Sequence, residues 1–169
     1  MKKITVLFFL VSLTTFGQIL PERDRATLKD EILADRFNNM LPELMDKTNI
    51  DMWVLISREY NEDPVMRTML PALWLNARRR TMLVFYRNKN TNSIEKLAVA
   101  RYDVGDNINS AWDKEKQPDQ WQRLVELIEE RNPNNIGINI SEDFAIADGL
   151  VHTDYEALKE SLPKQLEDK

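Results

Sequence analysis

The chain has 169 residues, of which 43% are hydrophobic and 30% charged, as expected for one globular domain with an adequate core. Four glycines and seven prolines are too few for a disordered or fibrous chain. The formal net charge of −5 argues against nucleic acid as a partner, because phosphate binding needs concentrated positive charge, and the chain has no cysteine for disulfides.

The first 17 residues have the pattern of a secretory signal peptide. Two lysines form a basic start, an apolar run follows as far as Phe16, and the small residue Gly17 suits cleavage before Gln18. The run is too short for a hydrocarbon core of about 30 Å, so no stable membrane span is expected after processing. The alternative is a buried amino-terminal strand or helix. We expect an exported protein, periplasmic or secreted, with its domain at residues 18–169.

A helical pattern opens this domain. Between residues 22 and 47, apolar side chains recur three and four positions apart and therefore share one face. Pro42 lies within the pattern and predicts a kink or the start of a second helix, because proline lacks a backbone donor. Asn49 is expected to end the helix, since asparagine tolerates the left-handed conformation.

Two apolar runs, at residues 52–57 and 80–87, predict strands of one sheet separated by a long loop. Pro64 in that loop suits the first turn of a short helix. Turn-forming residues at 88–92 lead into a third strand, predicted at 94–102, which forms a hairpin with the second.

The second half of the chain continues the alternation of strands and helices. Residues 103–117 predict a surface loop, and 119–131 predict an amphipathic helix with inward-facing Trp121, Leu124, Val125 and Ile128. A short buried strand is predicted at 136–140. Thr153 and Glu156 have the spacing of a capping box for a last helix at 154–162, followed by a loose charged tail. The whole pattern predicts an α/β fold, a mixed β-sheet flanked by helices.

No complete catalytic set is visible in the sequence. The single histidine, His152, cannot anchor a multi-histidine metal site, and a structural or solvated role is expected for it. Asp103, Asp106 and the asparagines beside them faintly resemble a calcium loop. They lack its twelve-residue spacing and final glutamate, so a solvated turn is the preferred interpretation.

Three groups of neighbouring carboxylates are candidates for acid–base chemistry. Glu129 and Glu130 follow a helical apolar stripe and predict a solvated face. Glu142 and Asp143 suit the first turn of a helix, where the helix dipole favours negative charge. Only the acids at 59–63, in the central loop, have the character of functional residues.

Arg78, Arg79 and Arg80 form the one basic cluster of the sequence. Strand alternation predicts that Arg79 points away from the other two. Guanidinium groups beside Trp74 could hold a carboxylate in a bidentate way, with Arg58 and Arg67 approaching the same region. The alternative is internal pairing of these arginines with acids of the same loop, Glu59, Glu62 and Asp63.

The central stretch, residues 49–86, contains the runs I-D-M-W-V-L-I-S-R-E-Y-N-E-D-P and A-R-R-R-T-M-L-V-F-Y. With N-I-S-E-D-F-A and A-D-G-L further on, it resembles the amino-terminal domain of secreted Xaa-Pro aminopeptidase-like proteins. These belong to the creatinase, prolidase and aminopeptidase P family of metallopeptidases. The resemblance covers residues 21–163.

The resemblance implies a ribonuclease-H-like arrangement of this domain and a second, carboxy-terminal domain with the pita-bread fold. That second domain holds two divalent metal ions with two aspartates, a histidine and two glutamates. Those motifs do not occur in this sequence, so no metal ligand or cofactor is assigned to this chain. In the family, the amino-terminal domain helps to wall the active site and sometimes lends an aromatic or arginine side chain to a neighbouring subunit. The resemblance implies that Trp74, Arg78 and Arg80, which lie in the corresponding region, are candidates for substrate contact.

The chain is therefore expected to be the non-catalytic amino-terminal part of such a hydrolase, as a truncated product or a fragment. Its partners would be the catalytic domain or a neighbouring subunit, including a homo-oligomer. An alternative function, from a different class, is that of a stand-alone periplasmic module that binds a small anionic ligand or a protein partner. A self-contained hydrolase would need a nucleophile with an adjacent base, which the sequence does not offer.

Overall fold

The computed structural model describes residues 19–169, and the predicted signal peptide lies outside them. In chain order the helices are α1 (Glu22–Asp35), α2 (Leu41–Thr48), α3 (Pro64–Met69), α4 (Gln120–Arg131), α5 (His152–Ser161) and α6 (Lys164–Glu167). The strands are β1 (Met52–Arg58), β2 (Arg80–Asn88), β3 (Ser93–Val99), β4 (Asn109–Ser110) and β5 (Ile136–Ile138). A π-helical turn, Arg36–Met40, joins α1 to α2, and a 3-10 turn, Ala145–Ala147, precedes α5.

The strands form one mixed sheet in the order β4-β3-β2-β1-β5. Strand β2 is antiparallel to β1 and β3, whereas the pairs β1–β5 and β3–β4 are parallel. The prediction of an α/β fold with a mixed sheet flanked by helices is confirmed. Arg58 pairs with Arg80, and Met82 pairs with Val99. As a result β1, β3 and β5 end, and β2 begins, at one edge of the sheet, which we call the carboxyl edge.

One face of the sheet packs against the amino-terminal helices. Leu33, Phe37, Leu41 and Met45 are each at most 2% exposed and follow one another at intervals of four residues. Four residues advance an α-helix by about 400°, so the stripe would rotate away from the sheet by about 40° at each step. The π-helical turn absorbs this excess, and the ring of Phe37 lies 5.5 Å from that of Phe85 in β2.

The opposite face packs against the carboxy-terminal helices. Alternate residues of β1 and β2, such as Val54 and Val84, are buried there against Leu124, Ile128 and Leu158. Both faces of the sheet are thus covered. This explains why β1 and β2 read as continuous apolar runs rather than as alternating ones.

Local signals in the first half of the chain are confirmed. Pro42 lies in the first turn of α2, and Asn49 ends that helix with φ of 55°. Pro64 begins α3, where the Asp63 carboxylate accepts hydrogen bonds from the backbone of the next turn. Strands β2 and β3 form the predicted hairpin.

The predicted third strand and the loop after it are partly wrong. Strand β3 ends at Val99, three residues early, because the chain bends away after it. The loop that follows is not wholly on the surface, since Val104 and Ile108 are at most 1% exposed and bridge to each other before β4. Strand β5 is also shorter than predicted and is only half-buried. In α4, Leu127 is buried instead of Val125, which is half-buried like Trp121.

Predictions for the last third of the chain need three corrections. Helix α5 begins at His152 without a side-chain cap, so Thr153 lies inside its first turn and forms no capping box. Glu142 and its neighbour lie in a bend held by the Ser141 hydroxyl, not in a helix. The tail is not loose, because Leu166 of α6 is buried in the second core and Ile136 donates its N–H to the carbonyl of Lys169.

Candidate ligand-binding cavity

A cavity of about 540 Å³ opens at the carboxyl edge of the sheet. It lies between the segment that precedes β2, the end of β3 and the loop that leads to α4. The three candidate residues from the sequence, Trp74, Arg78 and Arg80, all line it. The remaining lining residues are Glu59, Asn76, Arg79, Ala100, Arg101, Tyr102, Trp112, Lys114 and Gln120.

The wall before β2 is held in place by its backbone. The Trp74 N–H donates to the carbonyl of Pro71 at 2.9 Å, and the N–H of Ala77 donates to Glu62 Oε1 at 2.9 Å. Arg78 N–H donates to the Thr81 hydroxyl at 3.1 Å. Trp74 is only 6% exposed and belongs to the first core. The exposed guanidiniums of this segment therefore stand on a fixed support.

Arg78 stacks on this support. Its guanidinium carbon lies 4.3 Å from the centre of the Trp74 ring, which is a cation–π contact. Stacking uses the flat face of the guanidinium and leaves its edge donors free for a ligand. Arg78 is exposed at this position.

Arg80 is held from below by a buried carboxylate. Asp154 in α5 is fully buried, and it binds Arg58 through two guanidinium nitrogens at 2.7 and 2.9 Å. This hydrogen bonding raises the pKa of Arg58. The Nε of Arg80 lies 3.3 Å from the same carboxylate, close enough for an ion pair although it makes no hydrogen bond. Arg80 also lies over the ring of Trp121 at 4.8 Å.

Positive charge in the cavity exceeds negative charge. Arg78, Arg79, Arg101 and Lys114 make no salt bridge to any residue in the range 19–169. Glu59 is the one acid in the lining, and its carboxylate accepts the backbone N–H of Arg79 at 3.1 Å. This local excess occurs in a chain whose net charge is −5.

The predicted direction of Arg79 is wrong. Arg79 does not point away from Arg78 and Arg80, since all three line the cavity. The reason is that β2 starts at Arg80, and Arg79 adopts a left-handed conformation with φ of 55°, so strand alternation does not apply. Arg58 and Arg67 do not line the cavity. Arg58 nevertheless approaches the cluster as predicted, because it lies opposite Arg80 in the sheet and shares the Asp154 carboxylate with it.

Internal pairing with the loop acids is limited to one contact, between Arg67 and Glu62 at 3.3 Å. Arg58 and Arg80 use Asp154, an acid of the last third of the chain. The side chain of Glu62 is buried, which opposes its ionisation. The backbone N–H groups of Tyr60, Glu62 itself and Ala77, and the side chain of Arg67, outweigh that cost and lower the pKa of Glu62. Glu62 thus supports the cavity wall rather than facing a ligand.

Asp63 also has a structural role. Its carboxylate caps α3 through the N–H groups of Val65 and Met66 and accepts the Asn139 amide at 2.6 Å. The Trp53 indole N–H donates to the same Asn139 at 2.8 Å. The network connects β1, α3 and the end of β5, so Asp63 belongs to the scaffold, whereas Glu59 of the same predicted group lines the cavity.

The sequence reasoning did not identify the cavity wall that follows β3. Arg101, Tyr102, Trp112 and Lys114 come from the region predicted as the end of a strand and a surface loop. The available signal was the pairing of basic and aromatic residues, R-Y at 101–102 and W-D-K at 112–114. Gln120 closes the floor, because its amide donates to the carbonyls of Arg80 and Val99.

The cavity is suited to binding. Its donors and cations can orient an anion, and its rings offer an apolar surface. Within residues 19–169, no group of three or more His, Cys, Asp or Glu side chains is arranged to hold a metal ion. His152 is an exposed residue at the start of α5 and does not line the cavity. Asp103, one of the calcium-loop candidates, instead accepts the N–H of Ser110 at 2.6 Å.

Comparison with known proteins finds no family model, no curated protein and no solved structure that matches this chain. Across residues 19–169, none of the helices has the length and apolar character needed to cross a membrane.

Proposed function

We propose that this chain is the non-catalytic amino-terminal domain of an exported Xaa-Pro aminopeptidase-like metallopeptidase of the creatinase family. In this role it walls the active site of a pita-bread catalytic domain and contacts neighbouring subunits. The two divalent metal ions would belong to the catalytic domain. The resemblance in residues 21–163 motivates the proposal.

One observation supports it most. Trp74, Arg78 and Arg80, which the resemblance places in the substrate-contact region, line one cavity at one edge of the sheet. Beside them Leu73 and Leu75 are 85% and 87% exposed. Large apolar side chains at the rim of a charged cavity are typical of a surface that meets another protein domain.

The reading frame beyond Lys169 provides the test. We expect it to continue into a second domain that carries the D…D…H…E…E series of ligands. In the extended protein, Arg78→Ala is expected to lower kcat/KM for an Xaa-Pro peptide about tenfold, the usual effect of losing one charge-assisted contact. Lys47→Ala is the matched control, because Lys47 is exposed in α2 and does not line the cavity.

Two results would contradict this proposal. One is metal-dependent cleavage of an Xaa-Pro peptide by the purified 169-residue chain, whose sequence has no such ligand series. The other is a stop codon after Lys169 with no gene for the second domain nearby.

A stand-alone periplasmic binding module is the second candidate function. The observation that favours it is the group of four cavity cations that form no salt bridge within residues 19–169. Sedimentation distinguishes the two candidates. A domain separated from its catalytic partner is expected to self-associate through its bare apolar rim, whereas a module is expected to be a well-behaved monomer.

A further inference from the structure

We propose that the cavity at the carboxyl edge binds a small molecule carrying two or more closely spaced anionic groups. Di- and tricarboxylates and phosphorylated compounds share this chemistry. The inference deepens the binding-module candidate by naming its ligand class, and it does not require a catalytic domain.

The first argument is the origin of the charges. Arg78 and Arg79 precede β2, Arg101 follows β3, and Lys114 comes from the loop before α4. Three separate segments therefore bring like charges to one cavity, where their mutual repulsion opposes folding. Glu59 alone cannot balance them, since four unpaired cations face one carboxylate that is already hydrogen-bonded. An anion with several charges balances them, whereas a single carboxylate leaves most of the excess.

The second argument is that two of the guanidiniums are preorganised. Arg78 lies on Trp74, and Arg80 is fixed between Asp154 and the Trp121 ring. A guanidinium held in place loses little conformational entropy when it binds. Its planar fork matches the two oxygens of a carboxylate or a phosphate group.

The third argument concerns size and surface. Small-molecule sites typically have volumes of roughly 300–1,000 Å³, and this cavity of about 540 Å³ lies in the middle of that range. Tyr102 and Trp112 supply apolar surface beside the charges, and the Trp112 indole is fixed by donating to the carbonyl of Gln117 at 2.7 Å. The cavity therefore fits a compact metabolite better than an extended polymer.

Titration calorimetry on the full chain at low ionic strength tests the inference with three probes. They are citrate, pyrophosphate and acetate. We expect at least one of the two polyanions to bind about tenfold or more tightly than acetate, and added salt to weaken that binding because screening reduces the attraction. Preference for citrate indicates a polycarboxylate, and preference for pyrophosphate indicates a phosphorylated ligand.

Substitutions of the exposed cations test whether the polyanion binds in this cavity. Arg101→Gln and Lys114→Gln are each expected to weaken polyanion binding about tenfold, the effect of losing one hydrogen bond to a charged group. Both residues are exposed, so folding is preserved, as circular dichroism would verify. Arg23→Gln and Lys47→Gln are the matched controls, because these exposed cations do not line the cavity and are expected to leave the affinity unchanged.

The possible failures are distinguishable. Equal affinity for acetate and the polyanions overturns the inferred ligand class but leaves the binding module standing. Polyanion binding that is weakened equally by the cavity and control variants overturns the location. Absence of binding by every probe overturns both the inference and the module candidate. The peptidase proposal is unaffected in all three cases, because its test is the reading frame after Lys169.

Discussion

Gly149 lies against the carboxylate of Asp63, in the network that connects the end of β5 to α3. A Cβ atom at Gly149 would fall inside van der Waals contact with that carboxyl group. The Asp63 side chain cannot move aside, because it caps α3 and binds Asn139. The space beside Gly149 is thus closed by a side chain that is fixed by its own hydrogen bonds.

Gly149→Ala is therefore expected to destabilise the protein by about 1–3 kcal/mol, the usual cost of overpacking. Urea unfolding followed by tryptophan fluorescence measures this change. Gly137→Ala is the matched comparison. Its Cβ would meet Ile50 Cδ1 at 3.0 Å, the end of a flexible side chain that can shift, so a smaller loss is expected. An equal loss at both glycines would contradict the rigidity of the Asp63 network.

The first turns of α4 and α5 show that capping-box spacing in a sequence does not guarantee a cap hydrogen bond in the helix. Thr153 and Glu156 have capping-box spacing, yet α5 starts before them and Val151 occupies the cap position. In α4, Asp119 does cap the helix, accepting the N–H groups of Trp121 at 2.9 Å and Gln122 at 3.2 Å. Only the second arrangement satisfies backbone donors that would otherwise be unpaired.

We expect Asp119→Ala to lower the free energy of unfolding by about 1 kcal/mol, as is typical for loss of an N-cap. Thr153→Ala should change it by less than about 0.5 kcal/mol, as for other exposed positions outside such features. Thermal unfolding of the two variants beside the parent chain compares these values. A larger effect at Thr153 than at Asp119 would show that the start of α5 is misplaced.

Acid should unfold the whole molecule through carboxylates whose pKa values are lowered in the folded state. Glu62 is one, through the contacts described above. Asp51 is another, because hydrogen bonds from Lys89 and Asn134 outweigh the effect of its burial. A lowered pKa contributes stability above the unfolded value, about 4 for these groups, and that contribution is lost as pH falls through the folded pKa.

The expected result is a nearly constant free energy of unfolding between about pH 5 and 7 and a fall below about pH 4. Glu62→Gln should be less stable than the parent by about 1–2 kcal/mol at pH 7, because hydrogen bonds to a charged group are lost. The difference should shrink at pH 3, which lies below the unfolded pKa of Glu62, because the stabilisation that depends on its charge is lost as the pH falls towards its lowered folded pKa. Urea unfolding at both pH values gives these numbers, and a difference that stays constant would exclude the pKa shift as its cause.

The sequence predicted features of the whole molecule that depend on local chemistry. Proline at the start of α2 and α3, asparagine at the end of α2 and continuous apolar runs in β1 and β2 each act over a few residues. Strand β4 was not predicted, because it is only two residues long and forms through its pairing with β3. The segment before it is polar except for Val104 and Ile108, whose burial no local pattern indicates.

The cavity was predictable in part for the same reason. Trp74, Arg78 and Arg80 are close in sequence and were identified together. Arg101 and Lys114 reach the same cavity only through the order of strands in the sheet. The acid that pairs with Arg58 lies 96 residues away, so no local pattern could have named Asp154 in place of the loop acids.

Asp154 has a consequence for how this sequence can change over time. Arg58 and Arg80 occupy directly opposed positions on β1 and β2, where two like charges repel. The buried carboxylate between them offsets that repulsion, so we expect the three residues to be inherited together. A lineage that replaces Asp154 by a neutral residue is expected to replace at least one of the arginines as well. In related chains, these three positions should therefore vary together.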